Sequence, residues 1–298
     1  MAMTTDEVRA EVKRELALVP VPESRIAAIT KKLLPKCMYY CGKSRPGSAA
    51  PFDFRGRLDG AVARFAALGL TREDYLAAAM RCPTLFTYSP DAVYRNIAGV
   101  AARFSAHGLT IAGYLRAALK SPTLFCQKPE TVAANITGTA DLCAGIGLTV
   151  DAYLRAALKA PALFGLAPST VLNNISAVAA EFAGDGLTMA DYLRAALKQP
   201  TLLCMAPETV ASHIRFIQKM LDGGLFRFDS GAVGAMQEIM KAPMVITLSN
   251  RNLRLHEWLA MKHLATRRDS VGYGLMRRKS EILAEYSRCF PNNRRARV

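Results

Sequence analysis

Apolar and polar positions alternate at helical spacing along most of the chain, and glycine and proline interrupt them at regular intervals. The pattern is cleanest in residues 147–163, GLTVDAYLRAALKAPAL. It recurs at 69–85 (GLTREDYLAAAMRCPTL), 108–124 (GLTIAGYLRAALKSPTL) and 186–202 (GLTMADYLRAALKQPTL). The glycines at 69, 108, 147 and 186 and the prolines at 83, 122, 161 and 200 both advance by 39 residues. A fixed period of this length marks tandem supersecondary units. Each glycine supplies a left-handed C′ position, and the following leucine packs back onto the helix it ends. The next threonine caps a helix A; Thr71 with Asp74 and Thr188 with Asp191 resemble capping boxes with a shortened acid. Helix A is expected to run to the residue before the proline, where the chain is forced out of helix. The TLF or ALF segment then turns the corner and buries two large apolar side chains. A second proline, at 90, 129, 168 and 207, opens a helix B at a position where the missing N–H costs nothing.

Stepping about 100° per residue sorts the helix faces. From Tyr114, the residues Leu115, Ala117, Ala118 and Leu119 fill a broad apolar arc, and Arg116 with Lys120 share the other side. In helix B, Val93, Ile97, Val100 and Phe104 form the core stripe. The pattern predicts an all-α fold, a right-handed-type α-solenoid of two-helix repeats. Residues 1–68 hold an amphipathic helix near 5–18, a second short helix near 26–34, a loop-like stretch at 42–50 and a capping half-repeat. Within that half-repeat Phe54, Leu58, Ala61 and Phe65 align with the core stripe of the next. Residues 69–224 are four regular repeats, 225–263 a fifth repeat that has drifted from the period, and 264–298 a basic helix (near 276–286) and tail.

Charge sharpens this picture. The 298 residues carry a formal +15, unevenly placed: net +5 over 1–68, +2 over 69–224 and +8 over 251–298. Inside the array, position therefore matters more than total. Seven cysteines at irregular spacing do not form a disulfide framework and point to a reducing compartment, cytoplasmic or nucleoid-associated, or an organellar matrix if a presequence has been removed. No apolar run is long enough to span a bilayer. No Cys/His set has metal-ligand spacing, Cys37-x3-Cys41 being too little alone. With no phosphate-cradling glycine loop or nucleophile elbow either, no cofactor and no enzymatic activity are expected.

The repeat grammar resembles the mitochondrial transcription termination factor family in Gly69-Leu70-Thr71, Pro83-Thr84-Leu85-Phe86 and Ser89-Pro90-Asp91 and their equivalents, over about residues 51–260. The near-identity of the copies also resembles modular base-reading repeat proteins of bacterial origin. The first resemblance implies a curved α-solenoid that binds nucleic acid along a basic groove and acts in transcription, RNA processing or ribosome assembly. Its founding members bind duplex DNA.

Three sets of residues are candidates for function. Two residues before the first proline stand Arg81, Lys120, Lys159, Lys198 and Lys241; six before it stand Arg116, Arg155 and Arg194. A ladder of cations with fold-determined spacing suits a regular phosphate backbone, against the plainer reading of solvated helix faces and dipole-favoured C-termini. Thirteen residues after the proline stand Asn96, Asn135, Asn174, His213 and His256, with Arg57 in the leading half-repeat. These could contact bases; the stronger reading is a ladder that satisfies backbone groups in the neighbouring repeat's turn. The third set is Arg267, Arg268, Arg277, Arg278 and Lys279 with the arginine-rich tail, a basic arm for nucleic acid. The expected protein is a monomer that binds DNA or RNA, duplex DNA slightly favoured; the alternative is a scaffold for a protein partner.

Overall fold

A computed structural model describes residues 3–43, 52–222 and 234–249. Among them the fold is all-helical, with α-helices and short 3-10 turns in tandem and no strand. The α-helices are α1 (Thr5–Ala17), α2 (Glu23–Lys43), α3 (Phe54–Arg64), α4 (Arg72–Arg81), α5 (Pro90–Arg103), α6 (Ile111–Lys120), α7 (Pro129–Leu142), α8 (Val150–Lys159), α9 (Pro168–Glu181), α10 (Met189–Lys198), α11 (Pro207–Asp222) and α12 (Ala235–Lys241). The chain divides into two compact units: Met1–Thr137 with Ala157–Gly165, and Gly138–Ala156 with Leu166–Val298.

The punctuation residues act as their chemistry requires. Gly69, Gly108, Gly147 and Gly186 have φ of 79°, 77°, 92° and 78°, a region costly for a side chain. Each follows a 3-10 turn, and the leucine after it donates its N–H six residues back, as Leu109 does to the Phe104 carbonyl at 3.1 Å. Thr71, Thr110 and Thr188 cap α4, α6 and α10 by accepting the N–H of Asp74, Gly113 and Asp191. The expected capping box closes differently. Asp74 and Asp191 are one methylene too short to reach the threonine N–H and instead accept from the threonine hydroxyl, at 2.8 and 2.6 Å.

Two features differ from the sequence expectation within a repeat. Helix A ends two residues before the proline, because the pre-proline residue is driven out of the α region: Cys82, Ser121 and Gln199 have φ near −125° and ψ of 79–83°. The corner is itself a 3-10 helix, as at Pro83–Thr87 and Pro122–Cys126, so a repeat has more than two helical pieces. The corner buries its apolar pair as expected, Leu85 with Phe86 and Leu124 with Phe125.

In the first unit the core is a column of rings. Tyr75 meets Phe125 edge-on at 5.5 Å and Tyr114 meets Phe164 edge-on at 5.1 Å, geometry the aromatic quadrupole favours. Neighbouring helices B also approach closely. A Cβ on Gly60 would lie 2.6 Å from Pro90 Cγ, and one on Gly99 2.6 Å from Pro129 Cγ. In the second unit Gly138 stands likewise against Pro168, while Tyr153 and Tyr192 are fully buried.

The N-terminal region departs most from expectation. The second helix is not confined to 26–34 but runs from Glu23 to Lys43, through Pro35 and into the stretch read as a loop. Pro35 faces solvent, and the helix carries Ile29, Leu33 and Cys37 into a buried seam against α1 and the Pro83–Thr87 corner. That burial, at about 25 cal/mol per Å², offsets the one backbone hydrogen bond lost at proline. The leading half-repeat is as expected, with Phe54, Leu58, Ala61 and Phe65 buried. The described part of the fifth repeat, α12 and the 3-10 corner Pro243–Thr247, keeps the same grammar. The C-terminal helix and tail lie outside the described residues.

Candidate nucleic-acid interface

The predicted cations sit on one recurring surface of helix A. Tyr114, Leu115, Ala117 and Ala118 are buried, and Arg116 and Lys120 are exposed; α8 and α10 repeat this with Arg155 and Lys159, and Arg194 and Lys198. Arg81 and Lys241 are exposed at the ends of α4 and α12.

Their partners differ. In the first unit, Arg81 donates to the Lys120 carbonyl at 3.2 Å and to that of Leu119. These are unsatisfied carbonyls at a helix C-terminus, where the dipole favours a cation. Arg81 is thus a clasp between repeats, and it brings two successive rungs of the predicted ladder side by side. Arg116, Lys120 and Lys159 make no ion pair among the described residues. In the second unit Arg194 lies 3.1 Å from Asp191, an exposed pair of small energetic weight. Arg194, Lys198 and Lys241 line one groove of about 390 Å³, with Asp191 at its edge and Met236 and Met240 on its floor.

Cations on helix B are disposed otherwise. Arg64 pairs with Asp91 and Arg103 with Glu130, linking each helix B to the next in the first unit, and Arg215 pairs with Glu181 in the second. Sequence reasoning had assigned Asp91 and Glu130 only to helix dipoles. The signal for the pairing was present, since Arg64/Asp91 and Arg103/Glu130 share a separation of 27 residues.

The second candidate set has a structural duty. Asn96 Nδ2 donates to the Phe125 carbonyl at 2.8 Å, Asn135 to Phe164 at 3.1 Å and Asn174 to Leu203 at 2.9 Å. His213 Nδ1 meets the Ile246 carbonyl at 2.6 Å, and Arg57 donates to the Thr87 carbonyl at 2.6 Å. Each latch reaches from a helix B, or from α3, to the corner of the following repeat, where a 3-10 turn leaves a carbonyl unpaired. A buried carbonyl without a donor costs about 1–3 kcal/mol, so these side chains are committed inward and are not placed to read bases. The residue before each latch, Arg95, Ala134, Asn173 or Ser212, is exposed. His256, Arg267, Arg268, Arg277, Arg278 and Lys279 lie outside the described residues.

Among the described residues, no group of three His, Cys, Asp or Glu is placed to hold a metal ion, and no helix is long and apolar enough to cross a membrane. No protein-family model and no curated protein matches the chain.

Proposed function

We propose that the protein is a non-enzymatic nucleic-acid-binding helical-repeat protein that contacts the phosphate backbone through Arg and Lys of helix A. One contrast carries the reading. Helix-B arginines are neutralised by acids of the adjacent helix B, whereas Arg116, Lys120, Lys159 and Lys198 recur on exposed helix-A faces with no ion-pair partner among the described residues. A solvated face chosen only for solubility has no reason to keep its cations unpaired in one row and paired in the other. Arg81 and Lys120 adjoin in the first unit, and Arg194, Lys198 and Lys241 share a groove in the second, so each unit offers several cations to a single polyanion. Duplex DNA is favoured over RNA by the family resemblance alone, with a role in transcription or RNA metabolism.

A titration against mixed-sequence duplex DNA and RNA across a range of salt tests this. Log affinity against log salt for duplex DNA falls with a slope of about −0.9 per phosphate contacted. Replacing Arg116, Arg155 and Arg194 together with Ala should flatten that slope by about 2 to 3, while Arg64→Ala and Arg103→Ala leave it unchanged. Absence of binding at low salt, or an unaltered slope in the triple variant, removes the phosphate reading and leaves the protein scaffold as the alternative.

A further inference from the structure

In the first unit, three segments far apart in sequence converge beside the Arg81 clasp. Cys82 is the residue at which α4 gives way to its 3-10 corner, and Cys126 ends the corresponding corner of the next repeat. Their thiols lie within hydrogen-bonding reach of one another, and both are half-buried, so small oxidants can enter. The long α2 completes the cluster. Lys36 stands 4.1 Å over the Tyr88 ring, and the Tyr88 hydroxyl donates to the Cys126 carbonyl at 3.2 Å. Lys36 follows Pro35 directly, so it reaches this place only because α2 continues through the proline.

The two sulfurs are unlike. Cys126 donates its S–H to Cys82, which pulls the Cys82 thiol down to about 7 against the opposing effect of burial; the Thr84 N–H, Lys36 and Lys32 act in the same direction as Cys126. The donor itself is pushed up, first by that same hydrogen bond and then by burial. Burial likewise raises Cys37 and Cys143. Cys204 occupies the repeat position of Cys126, but the chain has Ala160 where the first copy has Cys82, and the Cys204 thiol is raised by burial to about 11.

We infer that Cys82 and Cys126 are a peroxide-oxidisable pair that closes a reversible disulfide between consecutive repeats. The Cys82 thiolate attacks one oxygen of a hydroperoxide. An S–O bond forms, the O–O bond breaks, and the other oxygen leaves and takes up a proton. Cys126 sulfur then attacks the resulting sulfenic acid; the S–S bond forms, the S–O bond breaks, and the oxygen departs as water with the Cys126 proton. The two electrons given up by the thiols reduce the peroxide, and a small dithiol reverses the reaction. The geometry assigns Cys82 as the attacking thiol and Cys126 as the resolving one, and it is independent of what the helix-A cations bind.

The full-length reduced protein, treated at pH 7 with stoichiometric hydrogen peroxide and then with iodoacetamide, should lose two alkylation sites by mass. Peptide mapping should show one cross-link, joining residues 82 and 126, that dithiothreitol removes. Without peroxide, Cys82 should alkylate about ten-fold faster than Cys204, since the thiolate is the nucleophile. In Cys126→Ser, Cys82 should still consume peroxide but stop at a sulfenic acid that dimedone traps. A principal cross-link between other cysteines, or Cys82 reacting no faster than Cys204, overturns the assignment. These two measurements on the unsubstituted protein decide the matter even if the variant does not fold.

Discussion

Asn174 shows how one side chain can be misjudged by its chemistry. An asparagine amide pairs as readily with a peptide carbonyl as with an adenine, and the deciding fact is where it points. Here it is only 9% exposed and donates to Leu203 O. Asn174→Ala is expected to strip the carbonyl of its donor and to lower unfolding stability by about 1–3 kcal/mol, read from a denaturant midpoint at constant m. Nucleic-acid affinity and its salt slope should not move. A large loss of affinity with unchanged stability would return the residue to base reading. Arg81 carries the same lesson for cations: its guanidinium is held by α6 carbonyls, so it contributes rigidity to the row as well as charge.

At the scale of the element, helix-to-helix distance is set by glycines whose meaning is invisible within a single helix. Gly60, Gly99 and Gly138 each lie nine residues before a left-handed glycine and press against the proline that opens the next helix B. Mid-helix glycine costs about 1 kcal/mol in propensity, so a packing reason is implied. Gly99→Ala should gain that propensity yet lose more to the contact with Pro129, for a net destabilisation of about 1–3 kcal/mol by chemical denaturation. Stabilisation would mean that the helices can separate freely. The extension of α2 through Pro35 belongs to this scale too. Proline argues against helix from local energetics, and the buried seam formed by Leu33 and Cys37 overrides it.

At the scale of the molecule, repeats contact their neighbours through a small set of recurring joints: ring columns, asparagine latches, glycine–proline contacts and ion pairs. Stability in such an array is approximately a sum of unit and nearest-neighbour contributions. Excising residues 108–146 should therefore rejoin equivalent positions. The shortened chain is expected to keep the same helicity per residue by circular dichroism and to unfold cooperatively with a smaller m-value, since m follows the surface exposed. Loss of helicity beyond the deleted segment would show that these repeats are not interchangeable.

The sequence by itself determined the helical class, the positions of the turns and the inward faces. Those depend on local stereochemistry, namely glycine at positive φ, proline at corners and apolar residues at helical spacing, and these repeat four times in the chain. It also separated Arg116 and Lys120 from the core, because helical geometry alone places them opposite Tyr114. What it left open were choices between partners distant in sequence. Whether Asn96 faces a base or a carbonyl, whether Arg81 is free or a clasp, and whether Cys82 meets another thiol all turn on the packing of one repeat against the next. Only the tertiary structure decided them, because a hydrogen bond or a thiol pair needs a partner within a few ångströms, and linear spacing does not carry that distance.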